Sequence, residues 1–171
     1  MQKSTTKSPQ ETQMAGEKMA KDILAEGNKN SAVVLALSGD LGAGKTTFLQ
    51  GFARGLGIKE VVNSPTFIVM KRFKIYDLRF KNFYHIDCYR LESEKDLEGL
   101  GFKEIISNPK NIVAIEWPEK IYPVEFGKAK ILTKGQNYST GVSEILPKGI
   151  ISITFKHSGK TSRQIDIRQK K

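Results

Sequence analysis

The sequence predicts a three-layer α/β domain whose sheet is mainly parallel, with added antiparallel strands and a C-terminal hairpin. Residues 31–39 and 111–117 are short apolar runs without alternation, which are typical of strands buried on both faces of a parallel sheet. Residues 10–27 and 45–58 carry apolar side chains at helical spacing. Residues 150–169 alternate around Ser158-Gly159, the pattern of a β-hairpin.

The remaining elements follow from local patterns. Aromatic and β-branched residues predict strands at 67–73 and 82–91, which we expect to be antiparallel additions to the sheet. Residues 93–107 predict a helix that Gly99 and Gly101 split. The polar residues 1–9 predict a disordered tail, and 127–149 predict a variable loop within a single domain that spans 10–169.

Composition narrows the class of protein. A single cysteine, Cys88, excludes an internal disulfide framework and fits a reducing compartment. The polar start lacks the apolar segment of a secretory signal, and no apolar run approaches membrane-spanning length, so we expect a cytoplasmic protein without membrane contact. The net charge is +10, of which residues 110–171 carry +7 (12 Lys and Arg less 5 Asp and Glu). This positive charge would suit binding to a nucleic acid or to an acidic partner. It is equally consistent with lysines that are merely solvated.

A glycine-rich segment between a predicted strand and a predicted helix carries the strongest chemical signal. It reads Gly39-x-x-x-x-Gly44-Lys45-Thr46, the Walker A pattern, in which backbone N–H groups and a helix N-terminus surround nucleotide phosphates. Lys45 is predicted to contact the phosphates during catalysis and Thr46 to bind Mg²⁺. The predicted phosphate-binding residues are Gly39, Asp40, Leu41, Gly42, Ala43, Gly44, Lys45, Thr46 and Thr47. The predicted fold class is therefore a P-loop NTPase.

A P-loop NTPase also needs a carboxylate near the Mg²⁺ ion. Asp87 and Glu116 each end an apolar run, which places both at the carboxyl edge of the predicted sheet, where ligands of open α/β folds bind. The chain lacks the Asn/Thr-Lys-x-Asp motif of guanine recognition, so the predicted cofactors are ATP and Mg²⁺.

Five segments in order resemble one known family. They are LSGDLGAGKTTFLQGFARGLG, VNSPTF, FYHIDCYRL, DLEGLGF and VAIEWPEKI, and together they resemble the bacterial TsaE (YjeE) family from about residue 11 to about 125. The resemblance weakens through 127–149 and is loose over the terminal hairpin.

The resemblance implies a specific activity. TsaE proteins are small P-loop ATPases required to make threonylcarbamoyladenosine next to the anticodon of tRNA. They bind the TsaD–TsaB heterodimer and hydrolyse ATP to reset it between turnovers, with weak activity alone. The resemblance therefore implies TsaD–TsaB as partner. From the lysine-rich residues 127–171 we expect only indirect or weak contact with tRNA.

The resemblance also implies residue roles. Thr66, in the Ser64-Pro65-Thr66 segment, matches a switch region near the γ-phosphate. Glu116 is assigned to Mg²⁺ and Asp87 to the attacking water or a supporting position near the metal, and an exchange of these two roles stays open. The resemblance extends the nucleotide-contacting set to Thr12, Trp117 and Arg163.

Two other functions stay open. A small-molecule kinase has the same phosphate loop, but it needs a lid rich in arginine, and the six arginines here are scattered. A basic RNA-binding protein with a vestigial P-loop would bind tRNA in a salt-sensitive way that ATP does not affect. A milder version of this alternative gives the ATPase a tRNA contact through Lys128, Lys130 and Lys134.

Overall fold

The computed structural model describes residues 2–27, 30–93, 95–121 and 150–169. Strands and helices alternate in the way that the sequence predicts for the central part of the chain. In chain order the elements are β1 (Gln2–Thr6), α1 (Pro9–Glu26), β2 (Val33–Gly39), α2 (Lys45–Gly55), β3 (Met70–Lys74), β4 (Asn82–Asp87), α3 (Lys95–Glu98), α4 (Phe102–Ser107), β5 (Asn111–Glu116), a 3₁₀ turn (Pro118–Lys120), β6 (Ile151–His157) and β7 (Arg163–Gln169).

Seven strands form one sheet in the order β1-β7-β6-β2-β5-β4-β3. The four central strands, β6, β2, β5 and β4, are parallel, whereas β3 and the β7–β1 pair are antiparallel additions at the two edges. This confirms the predicted fold class, including the terminal hairpin. The carboxyl ends of β2, β4 and β5 meet at one edge, and the phosphate loop leaves β2 at that edge.

Helices cover both faces of the sheet. On one face, α1 and α2 bury Phe48, Leu49 and Phe52 against Phe83 of β4 and Phe155 of β6. On the other face, the short α3 and α4 pack a separate apolar cluster against β4 and β5. The sheet is therefore the middle of three layers, and its apolar burial on both faces explains the unbroken hydrophobic runs of β2 and β5.

The first residues correct a prediction. Residues 1–9 were expected to be a disordered tail, but Gln2–Thr6 form β1 and residue 9 already belongs to α1. β1 pairs antiparallel with β7 over five residues, from Gln2 opposite Ile167 to Thr6 opposite Arg163. The polar sequence gives no hydrophobic signal for this strand. The strand is held by backbone hydrogen bonds to an open sheet edge rather than by apolar burial.

Several boundaries also differ from the predictions. The strand predicted at 67–73 begins only at Met70, because 66–69 form a turn that returns the chain toward Asp87. The strand predicted at 82–91 ends at Asp87, and Trp117 lies beyond β5. Gly99 and Gly101 do separate α3 from α4, as predicted. The predicted variable loop at 127–149, with its lysines, lies outside the described residues.

One finding concerns membranes. Across the described ranges, no helix combines the length and the apolar character that crossing a bilayer requires.

Candidate active site

The phosphate loop joins β2 to the N-terminus of α2. Gly39 has φ 134°, and a Cβ there would lie 2.3 Å from the carbonyl oxygen of Phe155, so another side chain would force the strands apart. Gly44, directly before α2, has φ 101° in the left-handed region. The helix begins at Lys45, so its first unpaired N–H groups and the positive end of its dipole lie at the loop.

Lys45 is almost completely buried inside this loop, at 4% exposure. Its Nζ donates to the carbonyl oxygens of Gly39, at 2.6 Å, and Asp40, at 2.9 Å. The same ammonium group lies 3.7 Å from the centre of the Trp117 ring. Burial lowers the pKa of Lys45, and the nearby carboxylates, Glu116 foremost, oppose that shift. The side chain thus holds a positive charge at the centre of the loop.

Glu116, the last residue of β5, is tied to the start of α2. The Thr46 hydroxyl donates to the Glu116 carboxylate, with both carboxylate oxygens 3.0 Å away. His85 Nε2 lies 2.8 Å from Glu116 Oε1, and both side chains are buried. A hydroxyl and a carboxylate, the two oxygen donors that Mg²⁺ prefers beside phosphate, therefore meet at the helix N-terminus.

Asp87, the last residue of β4, holds a different segment. It accepts hydrogen bonds from the hydroxyls of Ser64 and of Thr66, the latter at 2.6 Å. Its other oxygen accepts from the Tyr89 N–H at 2.9 Å, and its own N–H donates to the Val69 carbonyl. The predicted switch segment is therefore docked on Asp87, directly beside Glu116 in the neighbouring strand.

Two backbone outliers flank these carboxylates. Within the described ranges, Val69 (φ 63°) and Trp117 (φ 57°) are the non-glycine residues with positive φ. The Val69 carbonyl accepts a hydrogen bond from the Asp87 N–H. Trp117 directly follows Glu116, and the Trp117 N–H donates to the Leu37 carbonyl. Such conformations cost about 1–3 kcal/mol each and persist where the surrounding structure imposes them, often at functional sites.

Thr12 and Arg163 border the phosphate loop at Gly44. A Cβ on Gly44 would lie 3.7 Å from side-chain carbons of both residues. Thr12 is buried, and its hydroxyl pairs with that of Thr6 at 2.8 Å. Arg163 donates to the Gly42 carbonyl at 3.2 Å. β1 therefore helps to build this side of the loop, because its last residue, Thr6, is opposite Arg163 and bonds Thr12.

The structure brings most of the predicted site residues to one edge of the sheet. Lys45, Thr46 and Glu116 are in direct or near contact, whereas Thr66 and Asp87 form the adjacent pair. Leu41 differs, since its side chain is 75% exposed and its part in the site is the loop backbone. Whether these residues hold nucleotide and metal stays a prediction.

The predicted site residues did not include His85 or Ser64, although Ser64 lies in the predicted switch segment. The sequence predicts a buried, hydrogen-bonded His85, and the structure confirms that state. The signal for His85 was strand parity: His85 and Asp87 are two residues apart in β4, and Glu116 is the register partner of Asp87, so all three share one face. The hydrogen bond from Ser64 to Asp87 had no comparable signal, because residue 64 lies in a segment without regular structure.

The donor set fits Mg²⁺ bound together with phosphates. In the part of the chain that the structure describes, no three His, Cys, Asp or Glu side chains form a metal-binding group. Mg²⁺ sites that also use substrate phosphates need only one or two protein oxygens. The Thr46 hydroxyl and the Glu116 carboxylate meet that requirement, with Asp87 as the alternative carboxylate.

Comparisons with known proteins identify a family. The family profile described as "Threonylcarbamoyl adenosine biosynthesis protein TsaE" matches residues 6–165. Proteins named "tRNA threonylcarbamoyladenosine biosynthesis protein TsaE" are similar to this chain in Bacillus subtilis, at 38% identity over 132 residues, and in Haemophilus influenzae, at 39% over 105 residues. These matches cover 77% and 61% of this chain.

A solved structure is also similar. The crystal structure of Bacillus subtilis YdiB matches with a TM-score of 0.65 and 28% identity, covering 99% of this chain and 84% of that one. The matches to the two curated relatives span 66% and 63% of those proteins' own lengths.

Proposed function

Since this chain belongs to the TsaE family, we propose that it is a Mg²⁺-dependent ATPase that serves the threonylcarbamoyladenosine modification of tRNA next to the anticodon. In this proposal it binds the TsaD–TsaB heterodimer, and ATP hydrolysis resets that complex between turnovers. The observation that carries the proposal is the contact of Thr46 with Glu116 at the N-terminus of α2, directly beside the buried ammonium of Lys45.

The phosphate loop would bind the triphosphate. Lys45 donates to two loop carbonyls, and it would give its charge to the β- and γ-phosphates when ATP enters. The first N–H groups of α2 would add fixed donors that need no reorganisation. Thr46 and Glu116 would hold Mg²⁺, which when bound neutralises charge that develops on the phosphates.

Asp87 would act on the attacking water. Its carboxylate is anchored by the Tyr89 N–H and by two hydroxyls of the switch segment, and it ends the strand beside Glu116. A carboxylate held in this way accepts a hydrogen bond from water and orients it in line with the γ-phosphate. Thr66 would couple the position of that water to the position of the switch segment.

Thr12, Trp117 and Arg163 would complete the nucleotide pocket. Thr12 and Arg163 border Gly44, and Trp117 covers Lys45. Arg163 brings a guanidinium to the phosphate loop, where it bonds the Gly42 carbonyl. Because Thr12 lies in α1 and Arg163 in β7, the pocket for the base and ribose would lie against these two elements.

The same edge offers a surface for a partner. Leu41 in the phosphate loop and Phe67 and Ile68 in the switch segment are 75%, 84% and 64% exposed. Large apolar side chains that are exposed to solvent on both segments would suit contact with a protein partner. This supports a heterodimer that docks beside the nucleotide and stimulates its hydrolysis.

The proposal is tested by phosphate release from Mg·ATP, measured for the chain alone and with added TsaD–TsaB. We expect a low basal rate that rises with the heterodimer and disappears in Lys45→Ala. A hydrolysis rate that the heterodimer does not change, or that Lys45→Ala retains, would contradict the proposed function. Transfer of the phosphate to added nucleosides instead of water would favour a kinase.

A further inference from the structure

The buried contact between His85 and Glu116 is not explained by the phosphate loop or by the switch segment. His85 is completely buried and Glu116 is 2% exposed. His85 Nε2 lies 2.8 Å from Glu116 Oε1. Among the described residues, His85 Nδ1 is buried without a hydrogen-bond partner. A buried imidazole nitrogen without a hydrogen-bond partner costs free energy. The one hydrogen bond that His85 makes, to Glu116, therefore needs a physical explanation.

The bond has a defined direction. A carboxylate offers only acceptors, so His85 Nε2 carries the hydrogen and donates it to Glu116. Nδ1 has no partner among the described residues, so the hydrogen bond from Nε2 to Glu116 is the one side-chain contact that orients the imidazole there. The Phe83 ring lies beside the imidazole, with the two ring centroids 6.4 Å apart and the planes 19° from parallel.

The two donors to Glu116 stand on different parts of the fold. Thr46 belongs to the helix that carries the phosphate loop, and its hydroxyl is also the group proposed to bind Mg²⁺. His85 belongs to β4, whose register with β5 does not depend on the loop. If the Thr46 oxygen bound the metal, His85 would be the side-chain donor among the described residues that still restrains the Glu116 carboxylate.

We infer that His85 is a positioning residue for Mg²⁺ binding, whose Nε2–H holds the Glu116 carboxylate in the orientation that faces Thr46. This inference rests on the proposed function, because it concerns the Mg²⁺ that accompanies ATP. Groups that orient a metal-binding side chain typically change metal affinity by about 10- to 100-fold when removed. His85 contacts neither the phosphate loop nor the switch segment by hydrogen bond among the described residues, so its effect passes through Glu116.

The side-chain amides provide a matched pair of variants. In glutamine the amide nitrogen is separated from Cα by the same number of bonds as Nε2 of histidine, whereas in asparagine it matches Nδ1. His85→Gln therefore keeps a donor where Glu116 needs it. His85→Asn places its donor at the position that has no partner. Both variants replace the ring with one amide and differ from each other by a single methylene, so their packing losses differ only by the burial of that methylene.

The experiment titrates Mg²⁺ against the chain with a non-hydrolysable ATP analogue, by calorimetry and by fluorescence of Trp117. Trp117 is the single tryptophan of the sequence, and its ring lies 3.7 Å from the Lys45 ammonium, so it reports phosphate binding locally. We expect His85→Asn to raise the half-saturating Mg²⁺ concentration at least tenfold. His85→Gln should stay within about threefold of the wild type, and nucleotide affinity without Mg²⁺ should be the same in all three proteins.

Thermal unfolding of each variant separates positioning from folding. If His85→Asn and His85→Gln unfold at similar temperatures and only His85→Asn needs more Mg²⁺, the positioning role stands. Equal Mg²⁺ requirements in the two variants, whether both raised or both like the wild type, would overturn it. A wild-type chain that binds the analogue without any Mg²⁺ dependence would instead overturn the proposed ATPase function, and this inference with it.

Discussion

Glu116 and Asp87 occupy equivalent places in the fold and have different partners. Both end parallel strands, they are paired in register, and each is 2% exposed. Glu116 bonds side chains of a helix and a strand, Thr46 and His85. Asp87 bonds hydroxyls of a segment without regular structure. Position at the sheet edge thus brings both carboxylates to the site, whereas the parts of the fold that hold their partners differ.

We interpret the difference as a division of labour. A carboxylate fixed by regular elements is pre-organised for a metal, which tolerates little displacement of its ligands. A carboxylate bonded to a loop can follow that loop, and so can make hydrolysis depend on the loop's position. Partner binding at the exposed Phe67 and Ile68 would then act on Asp87 through Thr66.

The largest effect is expected for Glu116→Gln. Loss of the anionic ligand should lower ATP hydrolysis by about a thousandfold and remove most of the Mg²⁺ dependence of ATP binding. Single-turnover hydrolysis and calorimetry with and without Mg²⁺ measure the two effects. The control is Glu104→Gln, the same change at an exposed position in α4. Strong Mg²⁺-dependent binding by Glu116→Gln would assign the metal to Asp87.

Asp87→Asn should have a smaller and different effect. Hydrolysis should fall by about a hundredfold, because water loses its orienting carboxylate, while Mg·ATP affinity should change by less than about threefold. The control is Asp77→Asn, since Asp77 also accepts backbone N–H bonds but lies at the turn between β3 and β4. A loss of affinity that equals the loss of rate would mean that Asp87 holds the metal.

Removal of one hydroxyl from the switch segment should slow ATP hydrolysis only modestly. Thr66→Ala and Ser64→Ala each delete one donor to Asp87, and each should slow hydrolysis by about three- to tenfold, with unchanged affinity. The double variant should approach Asp87→Asn in rate. Ser107→Ala, which removes a helix hydroxyl bonded to the Lys103 carbonyl, provides the control. If the double variant hydrolyses ATP at the wild-type rate, the switch-segment hydroxyls have no part in catalysis.

The smallest expected effect is on local opening. Asp87→Asn should lower the free energy of opening of residues 64–69 by about 1 kcal/mol, the net contribution of a hydrogen bond. Amide hydrogen exchange should therefore speed up there by about fivefold in Asp87→Asn and not in Glu116→Gln. Equal acceleration in both variants would show that the two carboxylates are not independent.

Much of this arrangement was predictable from the sequence, for physical reasons. The apolar runs of β2 and β5 and the glycine loop between β2 and α2 are local signals, and they located the phosphate loop and both carboxylates. The strand β1 was not predictable, because its stability comes from the edge of β7, about 160 residues away along the chain. The different partners of Glu116 and Asp87 were not predictable either, since they depend on strand register and on a turn at 66–69.

The most direct test is a crystal structure of the chain with Mn²⁺ and a non-hydrolysable ATP analogue, with the metal located by its anomalous signal. We predict that the triphosphate lies on the loop from Gly39 to Thr46. We also predict that Mn²⁺ lies beside Thr46 and Glu116, and that His85 still bonds Glu116. A metal bound by Asp87, with Glu116 paired to His85 alone, would contradict the division between the two carboxylates.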